Sequence, residues 1–178
     1  MSNNIILTGT QNEGKTTKLL NVYHELKKRN ITVGGFAAPG IWENDQKIGF
    51  NLLNLQNGET LLLATIIPNK DFIKLGKFYF NPETLYYGNK ILRDSLNQDQ
   101  QMTFIDEIGK FELMGFMWHD SFEHLLKINK KPLIAVVRTH LLTQIKKIYQ
   151  LNTAQVFTLT SDDNLIVNSL LNGNHRGK

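Results

Sequence analysis

The hydrophobic and polar positions of this chain follow two patterns, short apolar runs and longer stretches with helical spacing. The first apolar run, residues 4–8, is closed by Gly9 and predicts a buried strand. Residues 15–29 carry apolar side chains at helical spacing, and residues 31–36 open a second strand. A strand, a glycine-containing loop, a helix and a second strand together predict the βαβ unit of a parallel sheet.

The pattern changes between residues 36 and 80. Two strand-like runs, 47–55 and 59–67, are joined by Gln56-Asn57-Gly58, and a further extended run covers residues 77–80. An Asn-Gly pair between apolar runs is a strong hairpin signal. No linker rich in Ser, Pro or Gly flanks the segment, so we expect an antiparallel insertion within a single domain that spans residues 1–178.

The alternation of helices and strands returns after residue 80. We predict helices at 82–96, 116–128, 141–149 and 162–171, and strands at 102–108, 132–137 and 155–158. Asn81 is expected to cap the first of these helices, with Pro82 in its first turn, and Ser161 marks the expected cap of the last. The predicted fold class is therefore α/β, with a mostly parallel sheet flanked by helices and an antiparallel hairpin insertion.

The loop between the first strand and the first helix fits the phosphate-binding motif G-x-x-x-x-G-K-[ST] without a gap. Its residues are Gly9, Thr10, Gln11, Asn12, Glu13, Gly14, Lys15 and Thr16. Such a loop turns successive backbone amides toward a phosphate, and the following helix directs its positive end at the same anion. We expect Lys15 to reach the β- and γ-phosphates, the Thr16 hydroxyl to coordinate Mg²⁺, and Thr17 to meet the α-phosphate.

Two acids end the predicted strand at 102–108. Ligands of parallel sheets bind at the carboxyl ends of the strands, where Asp106 and Glu107 are expected to lie. Asp106 would hold Mg²⁺, and Glu107 would orient or deprotonate the water that attacks the γ-phosphate. Arg138 ends another core strand, and we include it as a candidate internal arginine finger.

Residues 106–113, with the sequence DEIGKFEL, resemble the DEIGxMEL signature of the small nucleoside-triphosphatases first described from thermophiles. The P-loop, the Gly-Gly-Phe strand at 34–36 and the Ile-Gly-Phe stretch at 48–50 match the same family in the same order. The resemblance implies a RecA-like P-loop NTPase fold and slow, Mg²⁺-dependent hydrolysis of nucleoside triphosphates with broad base tolerance. It also places Lys110 and Glu112 in the loop beside the γ-phosphate.

The chain departs from the family pattern at several positions. Asn12 stands where the family loop usually has glycine, and Lys47 stands where an arginine is common. Because asparagine tolerates left-handed backbone angles, we expect the loop to survive. The segment after Gly-Gly-Phe is also different, and it contains Trp42, which we expect to pack within the hairpin in preference to stacking on a base.

Composition and charge indicate in which compartment the protein acts and what it binds. The chain has 178 residues, a formal net charge of +4 and no cysteine, which is compatible with a reducing cytoplasm. Its lysines are scattered near predicted helix ends, so we read no strong nucleic-acid signal from them. The first residues lack a secretory signal and no apolar window is long enough to span a membrane. We expect a cytoplasmic monomer that binds ATP, GTP or another nucleoside triphosphate.

Three functions are compatible with the residues alone. A Mg²⁺-dependent hydrolase is the leading hypothesis. A nucleoside or nucleotide kinase would use the same phosphate grip but usually needs an arginine-rich lid, and the chain has only Arg29, Arg93 and Arg138 besides Arg176 in its tail. A non-enzymatic nucleotide switch would bind tightly without turnover.

Overall fold

A computed structural model describes residues 4–96 and 99–172 of the chain. In chain order its strands are β1 (Asn4–Gly9), β2 (Val33–Ala37), β3 (Gly40–Glu43), β4 (Gln46–Asn54), β5 (Thr60–Thr65), β6 (Ile73–Leu75), β7 (Phe78–Phe80), β8 (Met102–Ile108), β9 (Leu133–Arg138) and β10 (Gln155–Thr158). Its helices are α1 (Lys15–Lys28), α2 (Pro82–Asp94), α3 (Lys110–Leu113), α4 (His119–Ile128), α5 (Leu142–Ile148) and α6 (Asp163–Asn172). A 3₁₀ turn, Thr139–Leu141, leads into α5.

All ten strands join one sheet, in the order β10-β1-β9-β8-β2-β4-β5-β7-β6 with β3 paired to β4. The first five strands in that order are parallel, as their pairings show. The segment inserted after β2 supplies the antiparallel strands and extends the same sheet. The predicted α/β class, parallel core and antiparallel insertion are all confirmed.

Alternating side chains of the parallel strands feed two hydrophobic layers. Ile5 and Leu7 of β1 point to the face covered by α1 and α6, whereas Ile6 points to the face covered by α2, α4 and α5. This period of two is the consequence of extended backbone, and a strand covered on both faces needs apolar residues at every position. The continuous apolar runs of the sequence therefore correctly predict the buried strands.

The antiparallel insertion holds both correct and missed predictions. β4 and β5 form the hairpin expected around the Asn-Gly pair, with Leu52 opposite Leu61. The predicted second run was too long, because β5 ends at Thr65 and Ile67 is 67% exposed. The short strands β3 and β6 were not predicted, since each pairs with one neighbour only and carries polar residues.

The starts of two helices differ from expectation for local reasons. Helix α4 begins at His119 and not at 116, because Gly115 and Met117 have φ values of 82° and 52°, which no right-handed helix admits. The carboxylate of Asp162, and not Ser161, accepts the Leu165 amide at the start of α6. Asn81 caps α2 as predicted, since its Oδ1 accepts the Glu83 amide at 3.0 Å. The four-residue helix α3 was missed.

Candidate active site

The P-loop lies at the carboxyl end of the parallel strands, between β1 and α1. Gly14 immediately precedes α1 with a φ of 90°, and Asn12 has a φ of 62°, so both adopt the left-handed conformation. Asparagine is among the few non-glycine residues that adopt it readily, which explains how Asn12 fits a position where glycine is usual. Residues 10–14 are exposed, and the first amides of α1, as in any helix, have no acceptors within their own helix.

Lys15 is buried to 6% exposure at the base of this loop. Its ammonium donates to the Thr10 carbonyl, and Nζ lies 4.0 Å from Glu107 Oε2. Glu13 crosses the mouth of the loop, where its Oε2 accepts the Thr10 amide at 2.7 Å. Hydrogen bonds from the Thr10 hydroxyl and amide hold the pKa of the exposed Glu13 carboxyl below its usual value. Polar groups of the P-loop that the sequence assigns to phosphate binding are thus hydrogen-bonded to other groups of the loop.

Asp106 lies across from the P-loop on β8 and is 2% exposed. Its carboxylate accepts hydrogen bonds from the Thr16 hydroxyl and, at 3.1 Å, from the Ala38 amide at the end of β2. Burial nevertheless raises the pKa of Asp106 to about 6, because desolvation of the charged form outweighs those hydrogen bonds. The structure therefore brings together the two residues that the sequence assigns to Mg²⁺.

The Thr16–Asp106 pair fits a magnesium ion by its chemistry. Both side chains offer hard oxygen ligands, which Mg²⁺ prefers, and Mg²⁺ usually takes one or two protein ligands and completes its shell with water and phosphate oxygens. A buried carboxylate whose charge is disfavoured by desolvation is also a place where a divalent cation compensates charge. The donor set is thus suited to the ion that the P-loop motif implies.

Glu107 follows Asp106 at a bulge in the pairing of β8 with β9. A bulge re-aims the side chains beside it, and here consecutive carboxylates serve different partners. Glu107 Oε1 accepts from Arg138 Nε at 2.6 Å, whereas Asp106 binds Thr16 and Ala38. Arg138 in turn lies beside Gly9 in the parallel register of β1 and β9, so both arise at the same edge of the sheet.

The other residues that the sequence singled out make fewer contacts within the site. Thr17 and Gln11 are exposed in the described structure, on α1 and on the loop respectively. Trp42 lies on the β3–β4 hairpin, 52% exposed, with the Lys47 ammonium 4.8 Å from its ring centroid. Its contact is therefore within the hairpin, as the sequence favoured.

Glu112 is a buried acid whose role the sequence left open. Its Oε2 accepts the Gly109 amide at 2.7 Å, so the side chain caps the short helix α3 that follows the two acids of β8. The residue is 2% exposed, and burial raises its pKa to about 7. Tyr149 donates to the Glu112 carbonyl at 3.0 Å and packs behind this loop. Glu112 thus shapes the backbone that carries Glu107, and its spacing of three residues from Gly109 was the available signal.

Lys47 is the residue of the site that sequence reasoning did not assign. It comes from β4 in the antiparallel insertion, and its Nζ donates to Asn12 Oδ1 of the P-loop at 3.0 Å. The charges that act on it are those of the site, Glu107, Lys15, Arg138 and Asp106. Lys47 stands where arginine is common in the family, which was a signal in the sequence. Its contact with the P-loop, however, depends on the tertiary fold.

Comparison with known proteins places this arrangement in a family. The sequence model of the NTPase family matches residues 4–171. The chain belongs to the NTPase family. It is therefore an enzyme of the class that hydrolyses nucleoside triphosphates.

Individual relatives agree with this assignment. The chain is 33% identical over 135 residues to the nucleoside-triphosphatase THEP1 of Sulfurisphaera tokodaii, covering 75% of each chain. It is 28% identical to the THEP1 of Thermotoga maritima, over 94% of this chain and 91% of that one. The solution structure of a human cancer-related nucleoside triphosphatase shares the fold, with a TM-score of 0.72 at 21% identity over 99% of this chain and 100% of that one.

Proposed function

We propose that this NTPase hydrolyses nucleoside triphosphates to diphosphates and phosphate in a Mg²⁺-dependent reaction at the P-loop, with little discrimination among bases. The observation that carries the proposal is the position of Glu107, which lies 2.6 Å from Arg138 and 4.0 Å from Lys15, next to the Thr16–Asp106 pair. A general base between two cations, beside a magnesium-type donor set, is the arrangement that phosphoryl transfer to water needs.

In the proposed reaction Glu107 orients a water molecule toward the γ-phosphorus and accepts its proton. The water oxygen bonds to phosphorus as the bond to the β-phosphate oxygen breaks. Lys15 and Arg138 stabilise negative charge on the phosphoryl oxygens, and the amides of the P-loop hold the β-phosphate. Thr16 and Asp106 would hold Mg²⁺, which would supply neutralisation of the phosphate charge.

Tolerance of different bases is supported by where the charged groups lie. The charged side chains of the site all lie around the P-loop, which recognises phosphates common to every substrate; they are Lys15, Arg138, Asp106 and Glu107.

The lack of cysteine is compatible with a reducing cytoplasm, the compartment in which we propose that the enzyme acts. Within the part of the chain that the structure describes, no helix is long and apolar enough to cross a bilayer.

A phosphate-release assay with ATP, GTP, CTP and UTP tests the proposal, with and without Mg²⁺ and with and without an added nucleoside. We expect release from all four nucleotides, dependence on Mg²⁺ and no effect of the nucleoside. Transfer of phosphate to the nucleoside would identify a kinase. Tight nucleotide binding without release would identify a switch.

A further inference from the structure

Lys47 is the one lysine of the antiparallel insertion that the described structure places against the P-loop. It comes from the hairpin of β3 and β4, whose turn lies well away in sequence from the loop it touches. Its ammonium is 3.0 Å from Asn12 Oδ1, and it lies 4.8 Å and 5.0 Å from the ring centroids of Trp42 and Phe50. Two aromatic faces and one loop residue therefore fix the position of this charge.

The position is costly for a free lysine. Burial against those rings lowers the pKa of Lys47, with Glu107 and Asp106 opposing the change and Lys15 and Arg138 adding to it. The neutral amide of Asn12 accepts one hydrogen bond from the ammonium but does not neutralise its charge. The hairpin therefore holds a partly desolvated cation beside the P-loop whose hydrogen-bond partner is neutral.

The cations of the site differ in how they are paired. Lys15, Lys47 and Arg138 supply three cationic groups, and Asp106, Glu107 and, at the mouth of the loop, Glu13 supply three carboxyl groups. Arg138 is paired with Glu107 at 2.6 Å, whereas among residues 4–96 and 99–172 Lys47 has the amide oxygen of Asn12 at hydrogen-bond distance and no carboxylate. Glu107, which the proposed reaction places beside the γ-phosphate, is also the charged group with the largest effect on Lys47.

We propose that Lys47 is a substrate-binding residue that leaves Asn12 and contacts the terminal phosphate of a bound nucleoside triphosphate. The inference rests on the proposed active site and assigns to the hairpin the recognition of a triphosphate over a diphosphate. Trp42 and Phe50 form the apolar wall that keeps the ammonium directed at the P-loop.

Calorimetric titration with ADP and with the non-hydrolysable β,γ-imido analogue of ATP, both with Mg²⁺, tests the assignment. Lys47→Met keeps the length of the side chain and its packing on the aromatic rings but removes the charge. We expect it to weaken binding of the analogue about 10- to 100-fold, the range for a hydrogen bond to a charged group, and to change ADP affinity less than about 3-fold. Lys47→Arg should restore most of the preference for the analogue.

Lys74→Met is the matched control, because Lys74 is an exposed lysine of the same insertion whose ammonium lies 5.6 Å from the Tyr79 ring centroid, away from the P-loop. We expect it to bind both nucleotides like the wild type.

Asn12→Gly separates direct contact from loop support, because glycine accepts the φ of 62° and removes the hydrogen-bond partner of Lys47. If Lys47 only supported the loop, this variant would show the same selective loss as Lys47→Met, and the proposal would be overturned.

Two other results decide against the proposal. Equal losses of ADP and analogue affinity in Lys47→Met, or no loss of either, would show that Lys47 does not contact the terminal phosphate. Binding of neither nucleotide by the wild-type protein would overturn the proposed active site itself, and the Lys47 assignment with it.

Discussion

Replacing Glu112 by glutamine isolates the cost of burying an acid beside the active site. Glutamine has nearly the same shape, and its side-chain oxygen keeps an acceptor for the Gly109 amide, which Glu112 binds at 2.7 Å. The substitution therefore preserves the cap of α3 and removes only the titration. Any change in the pH dependence of stability then belongs to this carboxyl group.

The magnitude follows from the pKa. Burial raises the pKa of Glu112 from 4.5 to about 7, so the folded protein holds this proton more tightly than the unfolded chain does. Between those two pH values the folded state binds more protons, and the free energy of unfolding falls as pH rises. Above pH 7 the free energy of unfolding is lower by about 3 kcal/mol, and below pH 4.5 it is not lowered at all.

Urea unfolding of the wild type and of Glu112→Gln between about pH 5 and 8 measures this difference. We expect the variant to gain stability relative to the wild type as pH rises, approaching about 3 kcal/mol. Glu123→Gln is the control, because Lys127 holds the pKa of that half-buried carboxyl below its usual value, which gives a small effect of opposite sign. A pH-independent difference between wild type and Glu112→Gln would refute the reasoning.

Three further predictions concern phosphate binding, charge stabilisation and packing. Lys15→Ala should abolish nucleotide binding in calorimetry, and undiminished affinity would count against the P-loop assignment. Arg138→Ala should lower kcat about 100-fold with little change in ATP affinity, since it removes one cation from the proposed transition state; an unchanged kcat would exclude it from the reaction. Gly88→Ala should cost about 1–3 kcal/mol in urea unfolding, because a Cβ there would lie 2.6 Å from the Trp118 ring; an unaltered midpoint would contradict this.

Elements with a strong local cause could be predicted from the sequence. The apolar runs of β1, β8 and β9 and the Asn-Gly hairpin predicted strands that the structure contains. The P-loop motif placed its residues correctly between β1 and α1, because glycine positions and the following helix are encoded locally. Asn81 was recognised as a cap for the same reason.

The missed elements are too short to show a pattern of their own in the sequence. β3 and β6 are short strands that exist through pairing with β4 and β7, and α3 is one turn held by the bond between Glu112 and the Gly109 amide. A single turn has no stable helix of its own, so periodicity cannot reveal it.

A different limit applied to the site, whose contacts join distant parts of the chain. The sequence showed Lys47 as a departure from the family pattern, at a position where arginine is common, but not that its ammonium lies against a loop 35 residues earlier in the chain. The pairing of Glu107 with Arg138 likewise arises because parallel strands β8 and β9 end at one edge of the sheet. Such contacts follow from topology, which the spacing of residues does not determine.

In the reaction that we propose, Glu107 activates the water that attacks the γ-phosphate. Glu107→Gln keeps the shape of the side chain and an oxygen that Arg138 can bind, but it removes the base. Phosphate release by this variant, measured at saturating Mg·ATP, is the most direct test. We expect ATP affinity close to that of the wild type and hydrolysis slower by at least about 100-fold, the lower range for a general base. Release at the wild-type rate would remove Glu107 from the mechanism and contradict the account.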